Sequence, residues 1–384
     1  MPQITQEVEA FARIKVFGCG GSGKNALNHM INSKVKGVEF IGVNTDAQDL
    51  HNTQSKKKIH IGKNLTRGLG TGMNPEVGKR AAEETREELQ EAIKGADMVV
   101  IAGGEGGGTF TGAAPIVAKT AKEMGALTIA VATKPFFFEG SQRMRIAEQG
   151  LDELRKVVDA IMVIPNDRLL TAISKETTAK AAFAMCDEVL RQMVEGISDI
   201  ITTAGLINCD FNDIRAILEN AGSALIGTGF ATGEKRAEEA AKLAINSPLL
   251  DLSIAGAKGV LFAIAAGDDL MMFEIQDAAK VITETIDPNA KVIFGHMKDE
   301  KLKKGEVKIT VIASGFPDGN TKAKPLFSAD KQEDKGGKIF NTILPSSLGG
   351  SFGKEATPIE EKKSIEDTDD DWGAVPAFLR RAKK

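Results

Sequence analysis

A glycine-rich segment between an apolar run and a helical stretch constrains the fold more than any other part of the chain. Gly103 to Gly112 reads GGEGGGTFTG, with six glycines in ten residues, after the apolar run Met98 to Ala102 and before the helical stretch Ala113 to Met124. We expect these ten residues to form neither strand nor helix, because glycine tolerates a positive φ and leaves its amide open to a ligand. A strand, such a loop and a helix N-terminus together cradle phosphate oxygens. The alternative is a tight turn that binds nothing.

A second glycine-rich segment, Gly18 to Asn25, follows the first predicted strand, Arg13 to Phe17. The spacing Gly18-x-Gly20-x-x-Gly23 fits a dinucleotide fingerprint, and Asp46 supplies the acidic residue expected after the next strand. The start of a P-loop fits too, but Asn25 stands where that loop has serine or threonine. NAD binding stays open as an alternative. A dinucleotide fold needs one phosphate cradle, however, and two cradles suit a nucleoside triphosphate.

Strands and helices alternate through the rest of the first half. The strands Ala126 to Thr133 and Ala160 to Ile164 flank a predicted helix, Ser141 to Val158. This alternation favours a parallel, doubly wound sheet, which binds ligands beside the carboxyl ends of its strands. A third glycine-rich loop, Arg67 to Gly78, is therefore a candidate phosphate lid, or else a flexible surface loop. It leads into a helix predicted over Glu76 to Ile93.

A long stretch with helical periodicity divides the chain. Thr177 to Thr202 repeats apolar residues at helical spacing and has a single glycine, Gly196. The pattern predicts one helix, buried along much of its length. Phe183 and Asp187 are four residues apart and therefore share a face of it. Taken alone, Phe183 reads as a core residue and Asp187 as a solvated one.

Two acidic residues follow this helix. Asp210 is placed to cap a helix over Ile214 to Ala221, with Asp213 three residues later, and capping by itself accounts for both acids. The remaining pattern predicts a smaller α/β domain without a glycine cradle. Its expected elements are the helices Glu234 to Asn246 and Gln276 to Thr285 and the strands Ala257 to Ala266, Val292 to Phe294 and Val307 to Ser314.

Composition excludes several classes of protein. A net charge of -4 gives no electrostatic reason to expect nucleic acid. Cys19, Cys186 and Cys209 lie far apart, which suits a reducing cytosol and excludes a disulfide framework. The four histidines form no metal-binding motif. Without a signal-like start or an apolar run of about 18 residues, we expect a cytoplasmic protein without direct membrane insertion.

The two ends of the chain differ in character from the middle. Residues 1–11 read as a flexible arm, and residues 317–370 have few apolar side chains, which predicts a disordered linker. The final segment, residues 371–384, gathers the only tryptophan, Trp372, with Val375, Phe378, Leu379 and four basic residues. We expect this cluster to fold into a partner's groove rather than to fray.

Together these motifs resemble the FtsZ family of bacterial tubulin-like division GTPases, over about Ile14 to Ala313. The family's signature GGGTGTG is similar to Gly106 to Gly112, and its catalytic loop is similar to Asn208-x-Asp210-x-x-Asp213. Further similar blocks are Asn44 to Gln48, Asn74 to Gly78, Lys134 to Phe136 and Val375 to Arg381. The resemblance implies an α/β fold: a Rossmann-like parallel-sheet GTPase domain, a long central helix, a smaller α/β domain and a disordered tail. The implied boundaries are 12–176 for the first domain, 177–202 for the central helix, 203–213 for the catalytic loop and 214–316 for the second domain.

The resemblance also implies a site for GTP or GDP. The nucleotide-binding residues in the two glycine segments would be Gly20, Gly21, Ser22, Gly23, Lys24, Asn25, Gly106, Gly107, Gly108, Thr109, Phe110 and Thr111. Of these, Gly21 to Asn25 and Gly107 to Thr109 would hold the phosphates. Glu139 and Arg143 would reach the ribose and phosphates, while Asn166 and Asp187 would bind the guanine edge. Phe183 would stack on the base. A carboxylate such as that of Asp187 can accept two parallel N–H bonds.

The family implies head-to-tail filaments in which Asn208, Asp210 and Asp213 of one copy complete the catalytic site of the next. Mg²⁺, bound mainly through the nucleotide phosphates, would help to neutralise charge. The implied role is GTP hydrolysis activated by assembly, in the cytoplasm at the mid-cell division ring during septation. Residues 371–384 would bind membrane tethers and division regulators.

Phe110 departs from the family pattern, which has glycine inside the signature. The substitution is tolerable if a helix has already begun there and the ring points away from the phosphates. If the family's glycine is needed, Phe110→Gly should speed turnover or tighten binding. Two alternatives therefore stay open: a scaffold filament that binds nucleotide with impaired hydrolysis, and an NAD-dependent oxidoreductase, which lacks an obvious acid or base for hydride chemistry.

Overall fold

A ten-stranded sheet organises the protein, in a computed structural model that describes residues 12–172, 177–246, 253–299 and 302–316. The predicted N-terminal arm, linker and C-terminal peptide lie outside these residues. In chain order the strands are β1 (Ile14–Cys19), β2 (Val38–Asn44), β3 (Lys57–His60), β4 (Met98–Gly104), β5 (Leu127–Lys134), β6 (Ala160–Pro165), β7 (Gly222–Thr232), β8 (Gly259–Ala266), β9 (Lys291–Lys298) and β10 (Glu306–Ser314).

The strand order is β3-β2-β1-β4-β5-β6-β7-β10-β8-β9. The pairs from β3 through β7 are all parallel, as is β8 with β9, while β10 runs antiparallel to both β7 and β8. The central strands β1, β4 and β5 are apolar and almost entirely buried, because helices cover both faces of a parallel sheet. The predicted α/β fold with a mostly parallel sheet is confirmed.

The helices are α1 (Gly20–Asn32), α2 (Ala47–His51), α3 (Lys63–Thr66), α4 (Pro75–Glu84), α5 (Arg86–Ile93), α6 (Thr109–Glu123), α7 (Ser141–Arg155), α8 (Asn166–Ala172), α9 (Ala179–Thr202), α10 (Phe211–Leu218), α11 (Arg236–Ile245) and α12 (Met272–Thr283). Two apolar cores lie on the two faces of the parallel sheet, and α9 packs in the core that continues under β7, β8 and β10. No helix among those described combines the length and hydropathy of a membrane span.

The predicted helix over Glu76 to Ile93 is wrong as a single element. It is interrupted at Thr85, whose φ of -109° and ψ of 21° separate α4 from α5. The Thr85 hydroxyl donates to the Ala81 carbonyl and accepts from the Gly62 amide, 3.1 Å away. A buried side-chain bond to another segment therefore fixes the break, which no local pattern shows.

The 11-residue strand β7 is absent from the sequence prediction, because Gly227 and Gly229 break its apolar pattern. The structure explains both glycines. A Cβ added at Gly227 would lie 1.9 Å from the Ala244 carbonyl oxygen, and one at Gly229 would lie 2.0 Å from that of Ala240. Helix α11 therefore packs directly on the backbone of β7, and only glycine permits that approach.

The helices α1 and α9 run side by side across the sheet. The His29 and Glu188 side chains are 2.8 Å apart, and further along the Ser198 hydroxyl donates to the Lys36 carbonyl. Thr202, the last residue of α9, packs on Gly37, immediately before β2 begins. The C-terminal end of α9 therefore lies at the edge of the sheet opposite to the carboxyl ends of β1 and β4.

Candidate nucleotide site

The first glycine segment lies at the carboxyl end of β1, and most of it is helical. Gly20, with a φ of 71°, turns the chain directly into α1, so that Gly20, Gly21, Ser22, Gly23, Lys24 and Asn25 form its first turns. The expectation of a loop before a helix starting at Ala26 is therefore corrected. The first amides of α1 have no intrahelical acceptor, which makes this helix start able to bind an anion.

The signature segment is also shorter as a loop than predicted. β4 continues through Gly103 and Gly104, and α6 already begins at Thr109, so only Glu105 to Gly108 connect them. The expectation that all ten residues lack regular structure is wrong, because glycine in a buried strand is stabilised by the pairing of β4 with β5. The loop still lies beside the start of α1, where Gly20 contacts Thr109, but its Glu105 and Gly106 amides already donate to the Thr133 carbonyl and the Thr111 hydroxyl.

Phe110 lies in the first turn of α6 and is not among the residues with positive φ. Its side chain is 3% exposed and packs on Gly103, where an added Cβ would lie 2.1 Å from the ring atom Cδ2. The ring therefore points into the core of the sheet. The tolerated case anticipated from the sequence, a helix already begun and a ring directed inward, is the one observed.

The candidate lid loop packs on the signature loop. A Cβ at Gly108 would lie 2.3 Å from the Thr71 hydroxyl oxygen and 2.7 Å from the Asn74 amide nitrogen. The Thr45 and Thr109 hydroxyl oxygens are 2.8 Å apart, which joins the end of β2 to the same cluster. Asn74 then caps α4 by accepting from the Glu76 amide. The three glycine-rich segments therefore meet at one edge of the sheet.

A cavity opens beside these loops. Its lining contains Ser22, Asn25, Gly104, Glu105, Thr133, Pro135, Glu139, Arg143, Asn166, Phe183, Cys186 and Asp187. All five residues expected at the ribose and base are among them. Phe183 and Asp187 come from one face of α9, as their spacing predicts, and Asn166 begins α8 at the end of β6.

One end of the cavity combines aromatic and polar side chains. Phe183 is half exposed and contacts Phe136 edge to face, with 5.4 Å between ring centroids, while Phe136 stacks on Phe138. The Asn166 Oδ1 atom is buried and has no hydrogen-bond partner among the described residues. Burial raises the pKa of Asp187 to about 6, against weaker opposing effects of His29 and Lys24. These side chains offer one stacking surface and two acceptors to the edge of a base.

Two basic residues of the site are already paired with acids. Arg143 lies 3.1 Å from Glu139, and Glu139 also accepts from the Phe136 amide. Lys24 lies 2.5 Å from Asp49, which in turn accepts from the Asn44 side chain. Asp46, which a dinucleotide fold would use for the ribose, caps α2 by accepting from the Asp49 amide. Lys24 is therefore held by Asp49 rather than left alone beside the phosphate loops.

Sequence reasoning missed five residues of this lining, Gly104, Glu105, Thr133, Pro135 and Cys186. The acidic one, Glu105, has the most unusual surroundings. It is 3% exposed, neither carboxyl oxygen has a well-aligned donor among the described residues, and burial raises the pKa to about 8. The nearby Thr111 hydroxyl opposes this shift only in part. The sequence did contain a signal for Glu105, because an acidic residue inside a glycine-rich segment after a buried strand is unusual. It did not indicate where the carboxyl would point, which is toward Gly150 of α7.

Asn208, Asp210 and Asp213 are not part of this cavity. They follow the distant end of α9, a helix of 24 residues and about 36 Å. Asp210 and Asp213 form a reciprocal capping box at the start of α10, each accepting from the other's backbone amide at 3.0 Å. Asn208 accepts from the Gly205 amide at 2.8 Å and closes the turn before it. The predicted cap is confirmed.

Comparison with known proteins agrees with this arrangement. The profile described as Tubulin/FtsZ family, GTPase domain, matches residues 13–174, and that described as FtsZ family, C-terminal domain, matches residues 222–317. An empty FtsZ dimer from M. jannaschii is 45% identical, with a TM-score of 0.74, and the match covers 79% of this chain and 88% of that one. This chain belongs to the FtsZ family. CetZ2 from Haloferax volcanii, a GTPγS-bound protofilament, is 20% identical with a TM-score of 0.68, covering 80% and 94% of the two chains, and shares the fold.

Membership of the FtsZ family decides between the nucleotide alternatives. Tubulin and FtsZ proteins are GTPases, so the family implies a guanine nucleotide rather than a dinucleotide at the loop edge. The M. jannaschii FtsZ was solved as a dimer. In the described part of the chain, no group of three or more histidine, cysteine, aspartate or glutamate side chains could hold a metal ion.

Proposed function

We propose that this protein is a GTPase that assembles head to tail and hydrolyses GTP between neighbouring copies, as a filament of the division ring. One observation carries the proposal. The glycine loops and the aspartates lie at opposite edges of the sheet, joined by α9. One copy cannot bring Asp210 and Asp213 to its own nucleotide, so a second copy has to supply them.

The nucleotide end would hold GTP through complementary groups. Amides at the start of α1 and those of Gly107 and Gly108 would bind phosphate oxygens, with Arg143 beside them. Asp187 and the Asn166 oxygen, which is unpaired in the described part of the chain, would accept from the guanine edge, and Phe183 would stack on the ring. Buried acceptors without a partner discriminate strongly for ligands that supply the missing donors.

The other end would supply the catalytic groups. Each aspartate uses one carboxylate oxygen in the capping box, so the second oxygen of each can accept from a water molecule. Asp210 and Asp213 of the incoming copy would orient and polarise that water for in-line attack on the γ-phosphate. Magnesium, when bound with the nucleotide, supplies additional neutralisation of phosphate charge.

Exposed apolar side chains at both ends support such an interface. At the nucleotide end, Leu69 is 84% exposed beside the end of β2, and Phe137 is 71% exposed after β5. At the other end, Leu206 is 86% exposed and Phe273 76%. Contacts that run from Ala204 through Lys298 to Asp268 connect the loop of Leu206 with the start of α12. Large exposed apolar residues at both ends fit a contact between copies.

A mixing experiment tests whether the catalytic site is shared. Asp213→Asn keeps the nucleotide end and loses one catalytic carboxylate, while Asp187→Ala keeps the aspartates and loses the base contact. We expect wild-type phosphate release to begin above a critical protein concentration and each variant alone to be nearly inactive. In an equimolar mixture, random stacking pairs intact ends at about a quarter of the interfaces, so up to about a quarter of wild-type turnover should return.

Mixing Asp213→Asn with Asp210→Asn is the matched control, because both changes are at the same end and no interface becomes complete. Activity that is linear in protein concentration, or a mixture as inactive as its components, would contradict the shared site. Filaments that form without phosphate release would favour the scaffold alternative instead.

The buried position of Phe110 removes the main reason for that alternative. Its ring lies in the core rather than against the phosphate loop. The helical backbone there leaves the first amides of α6 oriented toward the loop, as glycine would.

A further inference from the structure

The loop that carries the aspartates is attached to the open edge of the sheet. β9 is the last strand, and residues 204–207 lie along its free side. The His296 amide donates to the Ile207 carbonyl at 2.8 Å, and the Lys298 amide donates to the Ala204 carbonyl at 3.3 Å. Both bonds are between backbone groups and would form with almost any side chain on β9.

One bond of this attachment depends on a side chain. The Leu206 amide donates to His296 Nδ1 at 3.2 Å, in the turn that Asn208 closes. His296 is 5% exposed, and burial lowers the pKa of its imidazole, which keeps the ring neutral at neutral pH. A neutral ring whose Nδ1 accepts carries its proton on Nε2.

Two close contacts with β9 restrict the loop on either side of Leu206. Gly205 packs on the His296 carbonyl so closely that an added Cβ would lie 1.8 Å from the oxygen. On the other side of the loop, the Cys209 sulfur fills the space above Gly295. The backbone from Gly205 to Asp210 is therefore constrained on both sides of Leu206, and the His296 side chain holds the Leu206 amide between them.

We propose that His296 is a positioning residue for GTP hydrolysis, which holds the loop from Gly205 to Asp213 so that its aspartates meet the nucleotide of the neighbouring copy. The inference rests on the proposed function, because it concerns the same aspartates. His296 touches neither nucleotide nor water in this role. It acts through the Leu206 amide, and a small displacement of a catalytic group lowers the rate steeply.

The test compares side chains with and without an acceptor at Nδ1. Asparagine places Oδ1 near that position, whereas leucine and the shorter threonine offer no acceptor within reach of Leu206. We expect His296→Leu to lower phosphate release per assembled subunit at saturating GTP by about tenfold, the effect of losing one positioning bond. His296→Asn should recover most of the rate, and GTP affinity should stay at the wild-type value in both.

His296→Thr replaces His296→Leu if the latter does not fold, and Val292→Asn, an exposed change on the same strand, is the control that should leave turnover unchanged. Wild-type rates in His296→Leu and His296→Thr would overturn the proposal. Equal losses in His296→Asn would overturn it too, because the acceptor would then not matter. Failure of the proposed function is separate, since it would appear as an Asp213→Asn variant with undiminished turnover.

Discussion

The contact between Gly103 and Phe110 gives the sharpest test of the packing around the signature loop. In the wild-type protein the Phe110 ring occupies the place that a side chain at Gly103 would need, with 2.1 Å between the added Cβ and Cδ2. Gly103→Ala should therefore overpack the core and cost about 1–3 kcal/mol of unfolding free energy. Phe110→Ala should leave a cavity and cost about 3–5 kcal/mol.

The double variant should be less destabilised than the sum of the two changes. The methyl group that Gly103→Ala adds would occupy part of the space that the ring vacates and would no longer clash. We expect a favourable coupling of about 1–3 kcal/mol, which is large for residues outside direct charge contact. Urea unfolding of the four proteins, with and without GDP, measures this coupling.

Additive losses would refute the reasoning, because they would mean that Gly103 and Phe110 do not share the space. GDP affinity should change little in any variant that folds, since the ring faces the sheet. The same geometry revises the expectation from the sequence. Phe110→Gly removes a buried ring and adds a helix glycine, so reduced stability replaces faster turnover as the expected result.

Three other perturbations test the site itself. Below about pH 6, GTP affinity should fall about tenfold per pH unit, because Asp187 becomes protonated and loses an acceptor. Titration calorimetry of Asp187→Asn should show weak binding that does not fall further at low pH. The pKa of Glu105 is about 8 in the folded protein and 4.5 in the unfolded chain, so between these pH values the folded state binds one more proton. The free energy of unfolding should therefore fall with rising pH in this range, by up to about 1.4 kcal/mol per pH unit. A wild-type slope no steeper than that of Glu105→Gln would contradict this. Asp49→Asn should release Lys24 toward the phosphates and tighten GTP binding several-fold at low salt. Fluorescent nucleotide titration measures this, with Asp46→Asn as the control, and equal affinity in both variants would show that Lys24 does not reach the ligand.

Local patterns were sufficient for the elements whose residues bury or cap themselves within a few positions. The period of α9 and the spacing of Asp210 and Asp213 each predicted what the structure contains, because helix periodicity and capping depend on near neighbours. The break at Thr85 and the strand β7 were not predictable in this way. Each depends on a partner distant in sequence, the Gly62 amide in one case and α11 in the other.

The residues of the candidate site likewise fall into those that local patterns predict and those that depend on tertiary packing. Glycine segments and short motifs indicated phosphate chemistry, and the family resemblance assigned Phe183 and Asp187 to the base. Glu105 was overlooked because its direction depends on how α7 packs against the loop at Gly150. Likewise, no pattern around His296 indicates that its ring holds the Leu206 amide 90 positions earlier in the chain.

The alternation of strands and helices, the family and the chemical types at both ends of the molecule could all be predicted from the sequence, since they depend on residue type and short spacing. Where those ends lie could be seen only in the folded protein. It joins the glycine loops at one edge of the sheet and, through the length of α9, holds Asp210 and Asp213 at the opposite edge. Which edge of the sheet a segment reaches depends on packing between segments distant in sequence, and that packing separates the two halves of the proposed catalytic site.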